Sequence, residues 1–212
     1  MSSSLLTELE HSQLYSEELG IDLADVIDGE LFKWFLASLL FGGRISETVA
    51  KNTYRALVRH RLLTPHRVLA AGWDFLVNPI MREGGYVRYD GRKSAQLLRD
   101  CEKLLRDYDG SFRRLHEEAT GAADVERRLT DFSGVGPVTA NIFLRELRPY
   151  WPKADPEPLP SVREAALELG IDLGTFDRKS LEFARLEAGL IRRRRRPRLD
   201  DGDHRATGIR SP

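Results

Sequence analysis

Residues 129–147 read LTDFSGVGPVTANIFLREL. The apolar spacing before Ser133 is helical, and so is the spacing after Pro137. Between them Ser133-Gly134-Val135-Gly136 leaves room only for a tight turn. Two glycines separated by one residue permit backbone angles that other residues resist, and they keep side chains out of the way of an approaching backbone. Pro137 suits a first helical position, where a backbone N–H has no intrahelical partner to lose. The stretch therefore predicts helix, hairpin, helix, with backbone N–H groups gathered at a helix N-terminus. Such a terminus attracts anions, and a DNA phosphate held there is bound without sequence preference. The plainer alternative is an ordinary connection between two helices.

Outward from the hairpin, strand patterns are nearly absent and the chain reads as helical almost throughout. Leu31 to Phe41, LFKWFLASLLF, is apolar on nearly every face, which predicts a central buried helix. Asp28 is its expected cap and Gly42-Gly43 its stop. Ser46 to His60 predicts an amphipathic helix capped by Ser46, with Val49, Thr53, Ala56 and Leu57 inward. Thr64-Pro65 opens a short helix, and Asn78-Pro79 and Gly84-Gly85 break the stretch beyond it. Tyr86 to Gly91 reads as a turn. Lys93 to Tyr108 predicts a long helix with Leu97, Leu98, Cys101, Leu104 and Leu105 on one side. A short helix spans Asp124 to Phe132. The proline-rich stretch Pro149 to Pro160 reads as a loop, and helices over Ser161 to Leu169 and Asp177 to Arg192 close the fold.

Charge is balanced overall but unevenly spread. Residues 1–30 carry Glu8, Glu10, Glu17, Glu18, Asp22, Asp25, Asp28 and Glu30 with no Lys or Arg, a net −8. From Ile191 onward eight arginines, Arg192 to Arg196 among them, face Asp200, Asp201 and Asp203, a net +5, which leaves +3 between. Such asymmetry marks an arm that meets a polyanion, or simply a solvated tail. The single cysteine, Cys101, excludes an internal disulfide and a four-cysteine iron–sulfur cluster. The five histidines show no ligand spacing, so no side-chain metal site is expected. No apolar run approaches the roughly 20 residues of a membrane span, and Met1-Ser2-Ser3-Ser4 does not open a secretion signal. The expected location is cytoplasmic, on the nucleoid if the source is bacterial.

Gly134, Val135, Gly136, Thr139, Ala140 and Asn141 resemble the hairpin of the helix–hairpin–helix DNA glycosylases, the superfamily of endonuclease III and adenine glycosylase. LFKWFLASLLFGGRISETVAKNTYRAL resembles the helix pair that begins the family core, and YVRYDGRKSAQLL the segment before its next long helix. The resemblance covers roughly residues 30–195. It implies that Asp155, in WPKADPEPLP, is the catalytic carboxylate. Bifunctional members place a lysine two residues after the second turn glycine. Here that residue is Val138, which forms no Schiff base, so the resemblance implies a monofunctional enzyme. Lys153 is a weaker stand-in. The usual gap-filling glutamine is missing too, and Phe41-Gly42-Gly43-Arg44 stands there, with Arg44 or Tyr86/Tyr89 as candidates. Pro156 restricts the backbone of Asp155 to extended conformations.

The expectation is thus an all-α, two-lobed helix–hairpin–helix glycosylase fold. It comprises an acidic segment (1–30), a glycosylase-like domain (31–195) and a basic tail (196–212). The expected partner is double-stranded DNA and the expected state a monomer. DNA contacts are assigned to Gly134, Val135, Gly136, Val138, Thr139, Arg92, Lys93, Tyr89 and Arg44. Arg92 and Lys93 are included because cations at a helix start oppose its dipole unless a phosphate is near. Trp34 and Trp151 are candidate walls of a base pocket, although for Trp34, inside the apolar helix, core packing is the first reading and a pocket wall the alternative. The resemblance implies no cofactor beyond a monovalent cation on the hairpin carbonyls. The acidic segment could fold onto the cleft, cap the core or float free. Two other function classes stay open: a catalytically silent DNA-structure binder, and a protein-interaction module using the acidic arm.

Overall fold

A computed structural model of the chain describes residues 3–195. Among the described residues the chain is helical, with no strand. The helices are α1 Ser3–Glu10, α2 Tyr15–Glu18, α3 Asp28–Phe41, α4 Glu47–Arg59, α5 Pro65–Phe75, α6 Arg82–Gly84, α7 Asp90–Tyr108, α8 Phe112–Glu118, α9 Ala122–Thr130, α10 Pro137–Arg145, α11 Pro160–Glu168 and α12 Leu181–Arg195. No described helix is long and apolar enough to cross a membrane.

The apolar helix α3 is central, as its composition requires. It packs against α4, α8 and α10 and buries Leu31, Phe32, Trp34, Phe35, Leu36, Leu39 and Leu40. Phe35, Phe112, Phe132 and Phe143 meet in one aromatic cluster. Asp28 does not cap α3. It is the first helical residue, and its carboxylate instead accepts hydrogen bonds from the Ser111 hydroxyl at 2.9 Å and the Arg113 N–H at 3.1 Å. It thereby satisfies donors at the start of α8, a helix the local sequence pattern does not announce. Ser46 caps α4 as expected, accepting from the Val49 N–H at 3.2 Å.

The acidic N-terminal segment packs on the helical core. α1 lies against α12, and Leu9, Leu14, Tyr15, Ile21 and Leu23 are buried. The wholly buried carboxylate of Glu146 accepts from the N–H groups of Tyr15 and Ser16 at 3.0 and 2.9 Å. Glu17 pairs with Arg185 at 2.5 Å, and Glu18 with Lys51 and Arg192 at 2.5 and 3.1 Å. Arg192 also lies over the Tyr15 ring, 4.2 Å from its centroid, and Arg194 pairs with Glu164 at 2.5 Å. These two arginines of the basic run are therefore engaged within the protein, so the run does not belong wholly to an arm that meets a polyanion or to a solvated tail. Residues from 196 onward lie outside the described residues.

Candidate nucleic-acid interface

α9 and α10 form the two arms of the expected hairpin. Gly134 has φ of +80°, where a side chain is strained, and a Cβ there would sit 2.6 Å from the Gln96 amide carbon. Gly136 has φ of −94°, which any residue adopts. One glycine of the two is thus demanded by the turn. The first backbone bond of α10 runs from the Ala140 N–H to the Gly136 carbonyl at 3.0 Å, so the N–H groups of Val138 and Thr139 precede the intrahelical ladder. Gly134, Gly136 and Val138 are exposed. Val135 and Thr139 are buried, so neither side chain can reach DNA. Thr139 is pressed against Gly42, and a Cβ on that glycine would run into its hydroxyl. This close approach sets the end of α3 beside the hairpin.

A cleft of about 520 Å³ opens along this junction. Gly42, Gly43 and Arg44 come from the end of α3, Tyr86 and Tyr89 from the turn before α7, Arg92, Lys93 and Gln96 from α7, and Gly134 from the hairpin. Arg44 and Arg92 are exposed, and so is Tyr89. Arg88 lies over the Tyr89 ring at 5.1 Å. Exposed guanidiniums beside an exposed aromatic ring suit phosphate contact and base stacking.

Lys93 departs from its expected role. It is 6% exposed, and its ammonium donates to the Leu39 carbonyl at 3.2 Å. Burial holds its pKa below the usual lysine range. It caps the C-terminus of α3 rather than meeting solvent. Two residues that local reading passes over also belong here. Gln96 lies under Gly134, and Asp100, 1% exposed, accepts from the Ser133 N–H at 2.5 Å. The signal for Asp100 is its place among Leu97, Cys101 and Leu104, an acid on the apolar face of its helix.

A second cleft, about 360 Å³, lies beside Val138 and is lined in part by Tyr15, Phe41, Ile142, Leu159 and Arg194. The candidate carboxylate lines neither cleft. Asp155, with its side chain 36% exposed, is 3.0 Å from Arg178 Nε and 3.6 Å from Arg148 Nε. Its loop is pinned on several sides. Lys153 donates to the carbonyls of His116 and Glu117 at 2.7 and 3.0 Å, and Lys179 to those of Pro152 and Ala154 at 3.0 and 2.6 Å. Lys153 is therefore a strut, its amine committed to the end of α8.

Neither candidate base-pocket tryptophan faces a cleft. Trp34 is fully buried, its indole N–H donating to the Phe143 carbonyl at 2.9 Å. Trp151, 3% exposed, stacks on His116 at 4.5 Å and meets Phe143 edge-on. Both are core. Among the described residues no group of three or more His, Cys, Asp or Glu could hold a metal ion. Comparison with protein-family models, curated proteins and solved structures found no match to this chain.

Proposed function

We propose that this protein is a two-lobed helix–hairpin–helix protein of the DNA glycosylase kind. It binds duplex DNA as a monomer and removes one damaged or mispaired base without cutting the strand. One observation carries the reading: Arg44, Tyr89, Arg92 and Gly134, from three separate stretches of sequence, share a single cleft beside a hairpin helix N-terminus. The guanidiniums and the N–H groups of the turn would hold phosphates while a nucleotide is extruded, at a cost of a few kcal/mol. A carboxylate beside the sugar would then stabilise the positive charge that develops as the glycosidic bond breaks, and orient water. The family resemblance gives that role to Asp155, which lines neither cleft, so the extruded nucleotide would have to reach its loop. With Val138 where an amine would be needed, the abasic product would keep its strand intact until alkali is added. No step of the reaction depends on a monovalent cation at the hairpin.

The ion pairs of Asp155 favour a second reading. A carboxylate shared between two guanidiniums has less charge to offer a sugar cation, which suits a silent DNA-structure binder. Single-turnover base release on duplexes with alkylated, oxidised, deaminated or mismatched bases separates the two. On the first reading one base is released, and Asp155→Asn lowers the rate by at least about a hundredfold. No release across the panel, with DNA binding intact, establishes the second reading. Binding itself is checked by salt titration. Arg44→Ala with Arg92→Ala should reduce the slope of log affinity against log salt by about 2, one for each lost phosphate contact. An unchanged slope would remove the cleft from the interface.

A further inference from the structure

Helix α7 carries two buried charges on one face. Lys93 and Asp100 are seven residues apart, two helical turns, and so point the same way. They reach opposite sides of the cleft. Lys93 fastens the last turn of α3 through the Leu39 carbonyl, just before Gly42-Gly43-Arg44. Its positive charge there complements the negative end of that helix. Asp100 fastens the hairpin: Oδ1 accepts from the Ser133 N–H, one residue before Gly134. Its other oxygen, Oδ2, is buried and accepts no hydrogen bond. A fully satisfied carboxylate would sit quietly in the core. A half-satisfied one is costly while charged, and this one sits under the turn proposed to hold phosphate.

We propose that Asp100 is the positioning residue of the hairpin, and that binding a polyanion is linked to a proton on its carboxyl. The inference rests on the DNA-binding reading of the cleft. Burial pushes the Asp100 carboxyl up to about 7, against the opposing pull of the Ser133 N–H and of Lys93, Arg99 and Lys103. All three cations lie on α7 itself, and the hairpin contributes only the Ser133 N–H. Near neutrality the group is therefore divided between its two forms. Both forms keep an oxygen for Ser133. They differ in charge, and phosphates over the hairpin favour the neutral one. Binding therefore takes up a fraction of a proton, so affinity falls as pH rises, by at most about tenfold per pH unit.

The test is fluorescence anisotropy with a labelled undamaged duplex at constant ionic strength, from about pH 6 to about pH 8, across the carboxyl's range. Wild type should weaken several-fold over that range. Asp100→Asn keeps an acceptor and loses the charge, so it should hold the tighter low-pH affinity throughout. Asp100→Leu keeps the branched outline at a larger volume and loses the acceptor. It should bind about tenfold more weakly than Asp100→Asn at every pH, because the half-buried Ser133 N–H loses the acceptor that holds the turn. A wild-type profile as flat as that of Asp100→Asn would overturn the proton linkage. Equal binding by the Asn and Leu variants would overturn the positioning role. If Asp100→Leu does not fold, Asp100→Ala takes its place in the test of the positioning role, and wild type against Asp100→Asn still decides the proton linkage. Wild type that binds no duplex at any pH would overturn the DNA reading and this inference with it, whereas DNA binding with no pH effect would overturn only the inference.

Discussion

Arg148→Leu will cost about 3–5 kcal/mol of unfolding free energy, the usual loss when one partner of a buried ion pair is removed. Arg148 and Glu187 are both fully buried, and the guanidinium donates to the Glu187 carboxylate and to the Pro156 carbonyl. It also lies over the Phe183 ring at 5.1 Å. Burial pulls its pKa down to about 10, which leaves it charged at neutral pH. The substitution strands a carboxylate in the core, while the Pro156 carbonyl keeps a donor in Arg178 at 3.1 Å. A domain of this kind is stable by about 5–15 kcal/mol, so the loss is a large part of the whole. Urea denaturation followed by helical circular dichroism measures it. The diagnostic is the double variant Arg148→Leu with Glu187→Leu. Removing both charges together should recover most of the loss, because a buried pair is often no better than apolar residues of similar volume. A single variant that loses less than about 1 kcal/mol would show that Glu187 escapes by taking up a proton or reaching water.

The same cluster shows why parts of the site are hidden from local reading. Arg148 and Glu187 lie in stretches that sequence pattern alone assigns to a loop entry and an amphipathic helix, and nothing within a few residues of either announces the other. Trp151 sits in a proline-rich stretch, where a stacking role is a fair local inference. Its partner His116 comes from α8, itself invisible to periodicity because the helix is short. Lys93 reads locally as a cation opposing a helix dipole. The helix starts three residues earlier, at Asp90, and the ammonium turns to another helix, where its charge suits the dipole. In each case the deciding partner is distant in sequence.

The legible features have the opposite character. α3 is apolar all round because it is surrounded, so composition alone places it at the centre. The hairpin is written in Gly, Pro and flanking periodicity, all local quantities. The uneven charge is legible as a fact, but its destination is not. The acidic start meets Arg185 and Arg192 of α12, so part of the gradient closes within the fold instead of facing a polyanion.

The second large effect separates binding from folding at the hairpin. Gly136→Asp should weaken duplex binding by on the order of tenfold or more, from like-charge repulsion of a phosphate, while leaving the fold intact or steadier. The backbone allows it: φ at Gly136 is −94°, and a Cβ there meets nothing within 4 Å. Gly136 is also the N-cap of α10. An aspartate there can accept from the N–H groups of the first turn and complement the positive helix end, for a gain on the order of 0.5 kcal/mol over glycine. The carboxylate would occupy the place proposed for the phosphate, so one anion displaces another. Gly136→Asn supplies the control, capping the helix without the charge. If the hairpin holds phosphate, Asn should bind duplex more tightly than Asp, and the gap should shrink as salt rises. Equal affinity for wild type, Asn and Asp, with unchanged melting temperatures, would mean that no phosphate approaches this turn. The cleft of Arg44 and Arg92 would then have to carry DNA binding alone.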